Sequence, residues 1–349
     1  MARNNHQKRL RVVHDECAGI DIGSREHWVG VDPDRCDNPV PSFSTFTDDL
    51  HRLADWLESL SINVVAMEAT GVYWIPLFEI LDARGFDVYL VNSRATRQIS
   101  GRKSDVLDCQ WIWQLMSYGL LRGAFRPSDA ICSMRSIVRQ RANKVRDQAQ
   151  ALNRMQKALS QMNIQLPNVI SNIAGVTGMK ILRAIIGGER DPQKLATFRD
   201  RRIKADYETI ERSLRGNWRQ EHLHALAQEV ACYDFLEGQI AECDQAIRQV
   251  LEQLPVLNDE PQPSTKVLRS PRRSPADQAT LHQALWKIMG VDLTAIPTIG
   301  VDTVLVWRAK LAPTCRDFRR RNTFAPGWVL RRRPGYRAAG HCPGVLPKS

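Results

Sequence analysis

Between residues 17 and 117, short β-branched runs and amphipathic stretches follow one another in an order that constrains the fold more than any other feature. "CAGIDIGS" reads as a buried strand ending in a turn, "HWVGVD" as a second strand and "PVPSFSTFT" as a third. "DDLHRLADWLESL" has helical period, and Asp48 and Asp49 suit its first turn. "NVVAME" is a short strand ending on Glu68, "TGVYWIPLFEILDARG" a helix closed by Gly85, and "DVYLV" a further strand. A helix opened by "KSDVLDCQW" follows, with Ser104 suited to its N-cap and Trp111, Ile112 and Leu115 continuing an apolar stripe. Three strands in succession, then helix alternating with strand, predict α/β layers around a mixed sheet.

That order is similar to a ribonuclease H-like sheet. Taken alone, Asp105 and Asp108 mean only an acidic first turn, since carboxylates offset the positive end of the helix dipole. In a sheet of this type, however, the first strand and its neighbour lie side by side and the last helix packs across their ends. Asp21, Glu68, Asp105 and Asp108 then meet at one edge, the last two on nearly the same helix face. Hard cations such as magnesium need oxygen ligands, and two such ions side by side can clamp the attacking and leaving oxygens of a phosphodiester. These four carboxylates are therefore the candidate catalytic and metal-ligating residues, with Mg2+ as the cofactor. "GIDIGS" also resembles the first phosphate loop of actin-like kinases, but no second such loop follows the point where the chain turns helical.

From about residue 130 to 165 the pattern is one long polar helix. Ile137, Lys144, Ala151 and Ala158 lie one heptad apart, with Val138, Val145, Leu152 and Leu159 beside them. Two readings are open: a basic coiled-coil stalk or dimer arm, and a solvated helix packed on its own domain. Residues 166–253 read as a helical region and 255–280, rich in Pro, Ser and Arg, as a linker. "LTAIPTIGVDTVLVWRAKL" in segment 281–310 resembles half of a helix-hairpin-helix, with an ordinary helix connection as the plainer alternative. The eight cysteines include no C-x-x-C pair, and "HLH" at 222–224 with Cys232 and Cys243 matches no standard metal spacing. No run is apolar enough for a membrane span and the polar start is no signal peptide, so no membrane and a reducing cytoplasm are expected.

The net charge of +11 suggests an anionic partner, but its placement matters. Residues 311–349 hold nine Lys/Arg against one Asp, and residues 132–162 hold seven against one.

The motifs "AGIDIGSREHWVGV", "VVAMEATGVYWIPLFEIL", "VNSRATRQISGRKSDVLDCQWIWQL", "GVTGMKILRAIIGGERDPQKLA" and "GVDLTAIPTIG" resemble the DEDD transposases of the insertion-sequence one-ten family, the RuvC-like, bridge-RNA-guided recombinases. The resemblance covers about residues 12–310. It implies a RuvC-like catalytic domain over 12–125, with Asp21, Glu68, Asp105 and Asp108 in the DEDD role. It also implies DNA and a guide RNA as partners, a homo-oligomer (dimer or tetramer), and a catalytic serine in a C-terminal domain that begins at 281–310.

Beyond "TIGVDTVLVWRAK" this chain departs from the family, which continues with a Ser-Gly-Gly-Lys motif; residues 311–349 carry Arg clusters and no such motif. Suitable codons for Cys315 to Val329, read from their third base, give "PRFPTEKHFRPWLG", and those for "PGYRAAGHCPG" give "RVSGGGSLSG". Both follow the family pattern. A frameshift near residue 310 accounts for the tail, and its charge is then an accident of frame; a genuine disordered basic arm is the competing account. The expected function is a transposase acting on DNA phosphodiesters, with strand exchange defective. A metal-dependent junction nuclease and a non-catalytic nucleic-acid-binding remnant are the alternatives.

Overall fold

The computed structural model describes residues 11–92, 105–261 and 275–310. They form two compact units that divide between Arg126 and Pro127.

The first unit is a five-stranded sheet with helices on both faces. Its elements run β1 (Cys17–Ile22), β2 (Glu26–Gly30), β3 (Ser42–Ser44), α1 (Thr47–Ser59), β4 (Val64–Glu68), α2 (Ile75–Ala83), β5 (Asp87–Val91) and α3 (Asp105–Ser117). The strand order is β3-β2-β1-β4-β5. β1 pairs antiparallel with β2 and parallel with β4, and β4 pairs parallel with β5. This is a mixed α/β sheet in the element order read from the sequence, consistent with a ribonuclease H-like domain. One boundary differs: α2 opens at Ile75, not at the preceding Thr-Gly, with Pro76 in its first turn. Proline suits that position because its missing N–H has no helical partner there.

Alternation along the strands sorts side chains to the two faces. Ala18, Ile20, Val65 and Met67 pack with Leu53, Leu57, Leu77 and Leu81 of α1 and α2. Cys17, Ala66 and Val91 face the other way, onto Ile112 and Met116 of α3. Gly19 and Gly30 let α3 lie directly on the strands. A Cβ at Gly19 would stand 2.5 Å from the Cys109 carbonyl oxygen, and one at Gly30 2.9 Å from it.

The second unit is helical: α4 (Asp129–Gln161), α5 (Leu166–Val169), α6 (Val176–Ile186), α7 (Pro192–Ala196), α8 (Tyr207–Ser213), α9 (Gln220–Glu252), α10 (Pro275–Met289), a 3-10 turn (Leu293–Ala295) and α11 (Val301–Lys310). α10 begins inside the stretch expected to be linker. α4 and α9 pack antiparallel. The C-terminal half of α4, through Met155 and Leu159, joins Leu223 and Leu226 in one core with α6 and α8. Its N-terminal half, through Ile131, Met134 and Val138, joins Ile247 and Leu251 in a second core with α10 and α11. The heptad stripe of α4 is therefore covered by α9 of the same chain, which favours the packed-helix reading over a stalk. Between the two cores the buried Arg141 donates from Nε and Nη2 to the two oxygens of Asp244, at 2.6 and 3.1 Å.

The turn-plus-helix near the end is formed as well. Gly300 accepts from Thr303 and Val304 at the start of α11, and Thr298 sits at φ +74°, a conformation β-branched residues rarely adopt. No helix among the described residues is long and apolar enough to cross a membrane.

Candidate active site

The printed register of β1 against β4 runs Cys17–Val64 to Ile20–Met67. One step further along both strands stand Asp21 and Glu68, neighbours at the C-terminal ends of two parallel strands. Ile20 and Met67 point to the α1/α2 face, so Asp21 and Glu68 share the opposite face with Cys17 and Ala66, where α3 lies. Both are half-buried. Thr70 Oγ1 donates to Glu68 Oε1 at 3.2 Å, and the Ala69 N–H donates to the Val91 carbonyl at 3.0 Å, closing the turn after β4 onto β5.

α3 runs across this face against the direction of β1. Its last residue, Ser117, accepts from the Val13 N–H at 2.7 Å, ahead of β1, while Cys109 sits over Gly19 and Gly30. The N-terminal turn of α3 consequently reaches the strand ends that carry Asp21 and Glu68. Asp105 is its first residue and the half-buried Asp108 lies one turn on. The Asp105 side chain and Ser104 fall outside the described residues.

Electrostatics ties three of these positions together. The Cys109 thiol is fully buried and pushed up to about 12, first by burial, then by the negative charge of Asp21, with Asp108 contributing in the same sense. A thiolate at that position would be desolvated and repelled from two sides. Cys109 is therefore a protonated packing residue and not a nucleophile.

An all-carboxylate set fits a hard divalent cation in kind. Among the described residues, however, no group of three or more His, Cys, Asp or Glu stands close enough to hold a metal, neither at this edge nor around His222, His224, Cys232 and Cys243. Asp21 and Glu68 stand at the C-terminal ends of the adjacent strands β1 and β4, and Asp108 lies in the α3 turn that reaches them.

Three features of the site went unread in the sequence. Trp28 is the antiparallel partner of Asp21 and so stands beside it on the same face. Its indole N–H is buried with no hydrogen-bond partner among the described residues, as is that of Trp113 on α3. Thr70 buttresses Glu68. The hairpin spacing alone would have paired Trp28 with Asp21, but the cover supplied by α3 is non-local.

Residues 18–164 match the family model of the DEDD transposases of the IS110 type, described as a transposase. No curated protein matches the chain.

Proposed function

We propose that this chain, which belongs through residues 18–164 to the DEDD, IS110-type transposase family, carries a DNA-acting site built from Asp21, Glu68, Asp105 and Asp108, in a protein whose strand exchange is defective. The observation that carries the reading is the adjacency of Asp21 and Glu68 on parallel strands beneath the N-terminal turn of α3. In it, the four carboxylates would hold Mg2+, which when bound supplies Lewis-acid stabilisation of charge at a phosphodiester. Thr70 orients Glu68 through its hydroxyl. Trp28 screens one side of Asp21 from water, and Gly19 admits the α3 backbone so that Asp108 comes near. DNA is the substrate, a guide RNA and further copies of the chain are partners, and the protein works in the cytoplasm.

The defect lies downstream. Residues 311–349 lack a Ser-Gly-Gly-Lys motif, and suitable codons for them, read in another frame, give Ser-Gly-Gly-Gly, which supports a frameshift near residue 310. The test compares this chain with a version whose frame is restored by one or two bases, each on supercoiled donor and target DNA with magnesium and the element's guide RNA. Strand exchange is expected only from the restored version, and only with Asp21 and Glu68 intact. Exchange that survives Asp21→Asn with Glu68→Gln would sink the reading. Nicking of branched DNA by the unrestored chain would instead favour the carboxylate-only junction nuclease, whose motivation is the same acidic edge without a serine motif.

A further inference from the structure

α4 and α9 are oppositely charged rods. Over its length α9 has seven acids and one arginine, whereas α4 has seven basic residues and two acids. Part of this is internal complementarity: Arg141 meets Asp244, and Arg154 Nε lies 2.8 Å from Glu229 Oε1. Of the remaining cations of α4, the half-buried Lys144 stays near Cys243 of α9, and the others point elsewhere. Arg135, Arg139, Asn143, Arg146, Gln150 and Lys157 recur at steps that keep them in one stripe on the side away from the Val138–Arg141–Val145 seam. All but the half-buried Arg135 are exposed. At ~1.5 Å per residue the stripe is about 33 Å long. It has no acid on it, since Asp147 is turned roughly 80° away and Asp129 precedes it.

Arg139, Arg146 and Lys157 have no ion-pair partner among the described residues. Arg146 donates to the neighbouring Asn143, which braces it. Arg135 donates from Nε to the Ala309 carbonyl at 2.8 Å, fixing its guanidinium one turn from that of Arg139. Like charges at this spacing repel, so the helix tolerates a contact that an anion would relieve. A helix that needed only to complement α9 would turn its cations toward α9.

We propose that this face of α4 grips the phosphate backbone of duplex DNA. Arginine, lysine and side-chain amides are the groups that contact phosphate and sugar and set register without reading sequence. No aromatic residue stands on the stripe, so it offers no stacking platform for a single strand. A straight rod of fixed charges suits a stiff duplex. The inference rests on the reading of this chain as a DNA-acting transposase, but it concerns binding alone and does not involve the acidic edge.

The experiment is fluorescence anisotropy of the full chain with a labelled duplex of about 30 base pairs, in EDTA, over ~50 to 200 mM salt. The triple variant Arg139→Gln, Arg146→Gln, Lys157→Gln is expected to bind on the order of 100-fold more weakly at ~100 mM salt, with a salt slope smaller by about 2.7, from about 0.9 per phosphate contact. A control triple elsewhere in the unit, Arg201→Gln, Lys204→Gln, Arg212→Gln, keeps both quantities close to the parent. Arg139→Lys with Arg146→Lys keeps the slope, which shows that charge is what the stripe supplies. Because every variant retains the basic residues 311–349, their contribution cancels. The proposal is overturned if the stripe variant binds duplex like the parent or if the control triple loses as much. It is overturned equally if only binding to a stem-loop RNA or a single strand suffers, or if the variant dissociates an oligomer and leaves duplex binding intact. Failure of the Asp21 and Glu68 exchange test would leave this binding result untouched, so the two readings fail separately.

Discussion

Arg141 and Asp244 are joined by two hydrogen bonds, 2.6 and 3.1 Å, at the point where α4 crosses from one apolar core of the helical unit to the other. Asp302 of α11 stands 3.9 Å from the same guanidinium. Breaking such a buried pair from one side leaves an uncompensated charge, so Asp244→Ala is expected to cost about 3–5 kcal/mol. Arg141→Met combined with Asp244→Leu restores most of that, because an apolar seam needs no partner. A denaturant-melt double-mutant cycle checks it; a loss in the double variant equal to the sum of the two single losses would show that the pair is not coupled.

Gly19 is the contact on which α3 rests. Gly19→Ala forces the Cys109 carbonyl and the neighbouring α3 backbone outward, and is expected to cost about 3 kcal/mol by overpacking. Since α3 carries Asp108, the same variant should also bind Mn2+, a quenching stand-in for magnesium, more weakly, read as quenching of Trp28 fluorescence by difference from a Trp28→Phe background. A variant that melts like the parent would contradict the close approach.

The thiols of Cys17 and Cys109 are both pushed up to about 12 from an ordinary 9.0, chiefly by burial. A folded-state pKa above the unfolded one means the folded protein holds protons that the unfolded chain has released. This contribution to stability is complete below pH 9.0 and is lost as pH rises toward about 12. Asp21→Asn removes one of the charges acting on Cys109, so the total loss of stability on the alkaline side should shrink, read from denaturant melts as a function of pH. An unchanged alkaline loss would separate Asp21 from α3.

His27 is 1% exposed on β2, its Nδ1 has no hydrogen-bond partner among the described residues, and burial lowers its pKa from 6.5. Here the folded protein binds fewer protons than the unfolded chain, so stability is present above pH 6.5 and falls as pH drops below it. His27→Phe should flatten that acid limb, raising the melting temperature at pH ~5 relative to pH ~7.5. An unchanged acid limb would assign it to the carboxylates.

Much of this molecule was determined by sequence alone, and the reason is that those features are local. The order β1-β2-β3-α1-β4-α2-β5-α3 follows from residue-by-residue alternation and helical period, and the positions of Asp21, Glu68, Asp105 and Asp108 on strand ends and a first turn follow with it. What only the tertiary structure decided is which surface meets which. The heptad stripe of α4 is equally compatible with another chain and with its own α9; pairing that joins Arg141 to Asp244 across 103 residues chose α9 and so made Arg141 part of a buried ion pair and turned Arg139, Arg146 and Lys157 outward. Likewise the sequence places Gly19 two residues before Asp21, but only the packing of α3 explains why no side chain fits there. Periodicity specifies that a face will be buried; the identity of its cover is set by contacts between residues far apart in the chain.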